Sequence, residues 1–280
     1  MIDGKNKYTA LMSVYNGERA EYLNRALKSI LEQTVLPNEF ILIQDGVLNT
    51  RLEHVILNYK KMFELEETKF IIIKNDNNLG LALSLNKGLN ICSNRIVARF
   101  DSDDINLKNR MESMLEIFNK NPNISVVGSW ANEFKTKVND EVSIKKVLET
   151  DEKIKKYAKH RNPMNHMTVV YDLSAVKKVN CYTNIPLFED YYLWLKLMAE
   201  QFTFYNVQDS LVHVRADSNF VARRGGLKYF FKETFFQIKA LRHGYFGLTT
   251  VLYNILTRGI IRLLPKKVLG YVYAYLRDRK

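Results

Sequence analysis

From residue 8 to about residue 134, short apolar runs alternate with stretches whose apolar residues recur at helical spacing. YTALMSVY (8–15), EFILIQDG (39–46), KFIIIKN (69–75), NRIVARFDSDD (94–104) and ISVVGSWANEF (124–134) read as strands. Between the first two, NGERAEYLNRALKSILEQT sets Leu23, Ala26, Leu27, Ile30 and Leu31 on one helical stripe, and Pro37 and Asn38 end it. LEHVILNYKKMFEL, LGLALSLNKGLN and LKNRMESMLEIFNK supply the intervening helices. Strands alternating with helices pack as a largely parallel sheet covered by helices. Such sheets bind ligands at the carboxyl ends of their strands. Asp45 and the trio Asp101, Asp103 and Asp104 fall at two such ends, so one crevice can hold them all.

Three carboxylates within four residues repel unless water or a cation separates them. Asp101-Ser102-Asp103 suits magnesium or manganese bound with a diphosphate, where one or two protein carboxylates share the ion with phosphate oxygens and water. From spacing alone, a solvated turn with helix-capping aspartates is an equal alternative. A second acidic pair, Glu189-Asp190, opens the helix FEDYYLWLKLMAE, where exposed amides favour negative charge.

The length of 280 residues and 46% hydrophobic content fit one large domain, or one domain with an appendage. Cys92 and Cys181 are too few for a disulfide framework and lack zinc-ligand spacing. They read as small buried hydrophobes in a reducing cytoplasm. No charged leader precedes a long apolar stretch, so no signal peptide is expected. No run approaches the ~18 apolar residues of a spanning helix.

The order of these motifs resembles the family 2 glycosyltransferases of the GT-A fold, over about Tyr8 to Arg215. The likeness rests on SVYNGERAEYLNRALKSILEQT, on ILIQDG, on NNLGLALSLNKGL, on VARFDSDD and on FEDYYLWLKL. Val14 stands where the family often has proline, and Gln44-Asp45-Gly46 where it often has Asp-Asp-Gly. A Gln-x-x-Arg-Trp sequence, typical of processive synthases, is absent.

The resemblance implies an α/β, Rossmann-like, mostly parallel sheet flanked by helices. It also implies inverting transfer of a single sugar from a nucleotide-sugar donor, UDP-hexose or UDP-N-acetylhexosamine, to a glycan or lipid-linked acceptor. Such a reaction needs charge stabilisation for the departing diphosphate and a base for the attacking hydroxyl. On this reading Asp103 is the leading ligand for Mn2+ or Mg2+. Asp101 positions the ribose or a metal-bound water, and Asp104 assists or caps the next helix. Asp45 accepts from the base, Tyr15 packs on it or stiffens its turn, and Asn78, Gly80 and Asn86 line the nucleotide side. Asp190 is the general base, with Glu189 as acceptor-binding neighbour or alternate base. His213 reaches the metal or diphosphate, or is structural; His166 is functional in a role not assigned, or structural. Arg223 and Arg224 form a phosphate clamp or a solvated loop.

Residues 1–226 are assigned to the catalytic domain and 227–280 to a helical extension. The net charge is +12, and from Arg258 to Lys280 seven bases face one acid, Asp278, a local net of +6. Leu248, Val251, Leu252, Ile255, Leu256, Ile260, Leu263 and Leu264 form one apolar stripe. A basic amphipathic segment of this kind suits an anionic membrane surface, placing the protein on the cytoplasmic face of the cell membrane. Packing on the catalytic domain or on a second subunit, as in a homodimer, is the alternative. Two other classes fit less well. A nucleotidyltransferase needs a Gly-rich phosphate loop, and NGERAEYL has one Gly. A nucleic-acid-binding protein needs bases spread over a groove-facing element, and here they concentrate at the end of the chain.

Overall fold

A computed structural model describes residues 7–135, 140–215 and 226–259. The expected strands form as β1 (Tyr8–Tyr15), β2 (Glu39–Asp45), β3 (Lys69–Lys74), β4 (Ile96–Phe100) and, after the short β5 (Ile105–Asn106), β6 (Ile124–Phe134). The expected helices are α1 (Ala20–Leu31), α2 (Thr50–Leu65), α3 (Leu81–Ile91) and α4 (Arg110–Lys120). The Lys/Glu-rich stretch that follows resolves into β7 (Glu141–Lys145) and α5 (Asp151–Ala158). A 3-10 turn (His166–Thr168), β8 (Val170–Asp172), α6 (Leu173–Lys178), α7 (Glu189–Ala199) and the long β9 (Thr203–Arg215) complete the sheet region. Beyond it lie α8 (Leu227–Arg242) and α9 (Leu248–Asn254), which runs on as a π turn (Ile255–Gly259).

Among the described residues the sheet order is β3-β2-β1-β4-β8-β6-β9-β5, with β7 paired to β6. The first four strands are mutually parallel, the part built by strand–helix alternation. β8 runs antiparallel between β4 and β6 and makes the sheet mixed from there on. Alternate residues of each parallel strand enter different cores, as the two-residue period of a strand requires. Ala10, Met12 and Val14 of β1 and Phe40 and Leu42 of β2 pack with α1, α2 and α4. Leu11, Ile41 and Ile43 pack on the other face with α3, α6 and α7. Both faces are covered, so these strands read as continuous apolar runs.

A third core joins α8 and α9 to α7. Phe188, Tyr191, Tyr192 and Leu195 around α7 meet Tyr229, Phe236 and Ala240 of α8, with Phe246 and Val251 beyond. The apolar stripe expected over 248–264 is divided in its described part. Val251 is buried and Ile255 packs partly against the core, whereas Leu248, Leu252 and Leu256 are exposed. The stripe is wider than one contact line, so its two edges face different surroundings. Ile260, Leu263 and Leu264 lie outside the described residues. Among the described residues no helix is long and apolar enough to cross a membrane.

Candidate active site

The parallel strands β1, β2 and β4 end along one edge of the sheet, and Tyr15 pairs in register with Asp45. The chain leaves β4 as Asp101-Ser102-Asp103-Asp104. Donor atoms of Asp101, Asp103 and Asp104 all lie within 4.8 Å of one another. Arg99, buried on β4, grips Asp101 with both terminal nitrogens; Nη1 donates to Oδ2 at 2.7 Å and Nη2 to Oδ1. Arg110 holds the strand end in turn. Its Nη2 donates to the Arg99 carbonyl at 2.8 Å and its guanidinium lies 4.3 Å over the Phe100 ring.

Like charges crowd this strand end. Ser102 Oγ donates to Glu18 Oε2 at 2.6 Å, drawing a fourth carboxylate to the cluster. The Asp103 carboxyl is pushed up to about 7, mainly by burial and then by Asp101 and Glu18, with Arg99 opposing. Burial, Asp101 and Asp103 hold the Asp104 carboxyl well above its usual range. Asp104 Oδ1 accepts the Arg215 amide at 3.4 Å, while its buried Oδ2 has no partner among the described residues. Hard oxygen donors, close together and electrostatically frustrated, fit a divalent cation such as Mn2+ or Mg2+.

The β5–β9 ladder brings two more groups alongside. Ile105, next to Asp104, pairs with His213 within β9. Arg215 follows on the same strand face. Its guanidinium sits 3.7 Å over the Tyr22 ring and 4.8 Å from the Phe134 ring, and Nε and Nη2 have no hydrogen-bond partner among the described residues.

Asp45 is buried and bonded on both oxygens. Oδ1 accepts from Asn75 Nδ2 (3.0 Å) and the Leu79 amide (2.7 Å), and Oδ2 from the Gly80 amide (3.0 Å). Its described partners are therefore the loop before α3. Asn78 Nδ2 lies 3.4 Å from the Asp45 carbonyl, on the exposed side of that loop. Gly80 has φ +86°, the region glycine adopts freely. Tyr15 is 52% exposed, and its ring lies over Gly17 so closely that a Cβ there would be 2.3 Å from Cε2. Asn86, expected on the nucleotide side, instead turns both amide atoms to the backbone of Tyr182: Nδ2 donates to its carbonyl at 2.8 Å and Oδ1 accepts its amide at 2.9 Å. That pairing ties α3 to the loop before α7.

At the start of α7, Asp190 Oδ1 accepts the Tyr191 amide at 2.7 Å and Oδ2 accepts Asn162 Nδ2 at 2.6 Å. Burial and then Asp190 raise the Glu189 carboxyl, while Arg99 is near enough to oppose the rise. Arg99 therefore acts on both acidic groups, Asp101 directly and Glu189 through space. Buried Oε2 of Glu189 has no partner among the described residues. His166 bonds Tyr182 Oη through Nε2 at 2.9 Å and meets the Trp194 ring edge-on. Burial, and then Arg99, depress its protonation, so it is neutral and wedged among aromatics. Arg223 and Arg224 lie outside the described residues.

Sequence reasoning did not single out Glu18, Arg99, Asn162 or Arg215. Arg99 carried a signal, a charge inside an otherwise apolar strand. Asn162 sits in an irregular stretch and meets Asp190 only through the tertiary fold.

The architecture is that of the GT-A glycosyltransferases. S. aureus TarS 1–349, solved with UDP-GlcNAc, aligns with a TM-score of 0.61 at 14% identity, over 84% of this chain and 66% of that one. The mannosyltransferase PcManGT from Pyrobaculum calidifontis, solved with GDP-Man and Mn2+, aligns at 0.58 and 13% identity, over 96% and 79%. The chain belongs to glycosyl transferase family 2, whose model matches residues 9–180. It is 38% identical to the Escherichia coli UDP-Gal:alpha-D-GlcNAc-diphosphoundecaprenol beta-1,3-galactosyltransferase, over 98% of this chain and 97% of that protein. It is 32% identical to the amylovoran biosynthesis glycosyltransferase AmsE of Erwinia amylovora, over 98% and 99%.

Proposed function

We propose that this glycosyltransferase moves one hexose from a UDP-sugar to a hydroxyl of a lipid-linked glycan, with inversion, in the assembly of a bacterial surface polysaccharide. UDP-galactose is the favoured donor, because the E. coli relative named for that donor is similar over nearly the whole chain. UDP-N-acetylhexosamine is the second choice. Family membership sets aside a nucleotidyltransferase or a nucleic-acid-binding protein.

The observation that carries the reading is the Asp101–Asp104 turn, whose carboxylate donor atoms lie within 4.8 Å of one another where the parallel strands end, beside Arg99, which holds Asp101. Asp103 and Asp104 would hold the cation, with Asp101 kept in place by Arg99 and His213 alongside. When bound, a divalent cation supplies positive charge to the departing diphosphate. Arg215, close to the Tyr22 and Phe134 rings, adds a fixed positive charge from the chain itself. Asp190 takes the proton of the attacking hydroxyl, and Asn162 orients its carboxylate. Glu189, whose carboxyl binds a proton more readily than usual, hydrogen-bonds the acceptor. Asp45 shapes the loop that presents Asn78 and Gly80, and Tyr15 covers the base.

Residues 1–226 form the catalytic unit in this reading, and the extension 227–280 holds it against the cytoplasmic face of the membrane, where a lipid-linked acceptor lies. The test is a panel of nucleotide-sugars scored by thermal shift with and without manganese. A UDP-hexose should raise the melting temperature, and more so with the metal. Stabilisation by none of the panel, or equal stabilisation by nucleoside triphosphates alone, would overturn it.

A further inference from the structure

The outward face of α8 is built against the usual pattern of a surface helix. Residues of an α-helix follow one another at about 100°. On that wheel Tyr229, Glu233, Phe236 and Ala240 share the side packed on the third core, and all are buried. The opposite side carries Leu227, Phe231, Phe235 and Ile238, which are 63%, 64%, 58% and 40% exposed. Four large apolar residues in one row along the solvent side are more than scattered surface hydrophobes. Lys228 and Lys232, both exposed, border the row on one flank, while Lys239 turns its ammonium over the Tyr192 ring at 5.5 Å. The only acid of the helix, Glu233, is on the buried side. Among the residues of α8 itself, the outer face is thus apolar and bordered only by positive charge.

We propose that this face of α8 is a docking surface for an anionic lipid bilayer. Leu227, Phe231, Phe235 and Ile238 enter the acyl boundary and the lysines meet the headgroup phosphates, the arrangement of an interfacial helix lying in the membrane plane. Charge argues against an antiparallel second copy of α8 as occupant, since that two-fold pairing would set both lysine flanks on the same side with no carboxylate of α8 between them. The proposal rests on the membrane placement of residues 227–280 given above and narrows it to one face of α8, separate from the 248–264 stripe.

The experiment is cosedimentation of the full chain with vesicles containing phosphatidylglycerol and with vesicles of phosphatidylcholine alone. The intact chain should pellet with the anionic vesicles and be released only in part by salt. Phe231→Glu/Phe235→Glu, at exposed positions, should lower the bound fraction roughly tenfold or more while keeping the melting temperature and UDP binding. Lys228→Glu/Lys232→Glu should weaken binding and flatten its salt dependence. Three results would overturn the proposal: an intact chain that ignores anionic vesicles, a Phe231→Glu/Phe235→Glu variant that binds them as before, or the same variant turning a dimer into a monomer. Loss of vesicle binding with UDP binding retained separates this surface from the sugar-transfer reading.

Discussion

Asn162 Nδ2 donates to Asp190 Oδ2 at 2.6 Å while the other carboxylate oxygen accepts the Tyr191 amide, so both oxygens of the candidate base are held. A donor that favours the ionised carboxylate keeps it ready to accept a proton. Asn162→Ala should lower kcat about tenfold, the cost of one charge-assisted hydrogen bond. It should also leave UDP affinity unchanged. A purely structural Asn162 would instead lower the melting temperature with kcat in place.

Asp103 gives a pH dependence of unusual sign. Its carboxyl sits near 7 in the fold, because burial and its acidic neighbours disfavour the charge. The folded chain therefore holds this proton more tightly than the unfolded chain, so stability is lost as pH rises from about 4 through 7. Without metal, Asp103→Asn should be more stable than the parent at about pH 8, by up to ~1.4 kcal/mol for each pH unit of that window. The difference should vanish below about pH 4. Manganese should bind the parent with proton release, more weakly as pH falls below 7. Thermal melts and manganese titrations across pH check both statements. Equal melts of the two proteins at high pH would argue against them.

Asp45 should matter first to stability. It accepts two backbone amides and the Asn75 side chain. Asp45→Ala leaves those donors without their acceptor, at a cost of about 2–4 kcal/mol by denaturant unfolding. Donor affinity should fall with it, because the 75–80 loop loses its anchor. A carboxylate that served only to bind the base would leave unfolding unchanged.

Gly17 tests the role of Tyr15. An added Cβ would meet the Tyr15 ring at 2.3 Å, and the ring is exposed enough to move away. Gly17→Ala should therefore raise KM for the donor several-fold while changing stability by less than about 0.5 kcal/mol. Tyr15→Ala should do the same, and the two changes should not add. Normal donor KM in both variants would assign Tyr15 to the turn alone.

What the sequence disclosed follows from what is local. Strand runs such as FILI and helical stripes such as Leu23–Leu31 are written in neighbouring residues, so the parallel half of the sheet was legible. The acidic turn after Phe100 and the Glu189-Asp190 helix start were legible for the same reason. The antiparallel insertion of β8 was not, because three residues carry no period and their partners lie over 40 positions away. The bonding of Asn86 to the backbone of Tyr182 was not legible either, because a polar residue on a helix looks the same in sequence whatever it meets. Asn162 and Arg215 gain meaning from contacts that only folding creates. The tail stripe was read from its apolar residues, but which edge faces the core depends on α7 and α8.

The central claim is that Asp190 serves the acceptor and the Asp101–Asp104 turn serves the donor. It is tested most directly by one comparison, transfer and UDP binding in parent, Asp190→Asn and Asp103→Asn proteins, with a UDP-hexose, manganese and a GlcNAc-diphosphate lipid. The parent should form a product of inverted anomeric configuration by NMR. Asp190→Asn should bind UDP normally and transfer nothing measurable; Asp103→Asn should lose manganese-dependent UDP binding. Full transfer in EDTA, or an Asp190→Asn protein that turns over normally, would contradict it.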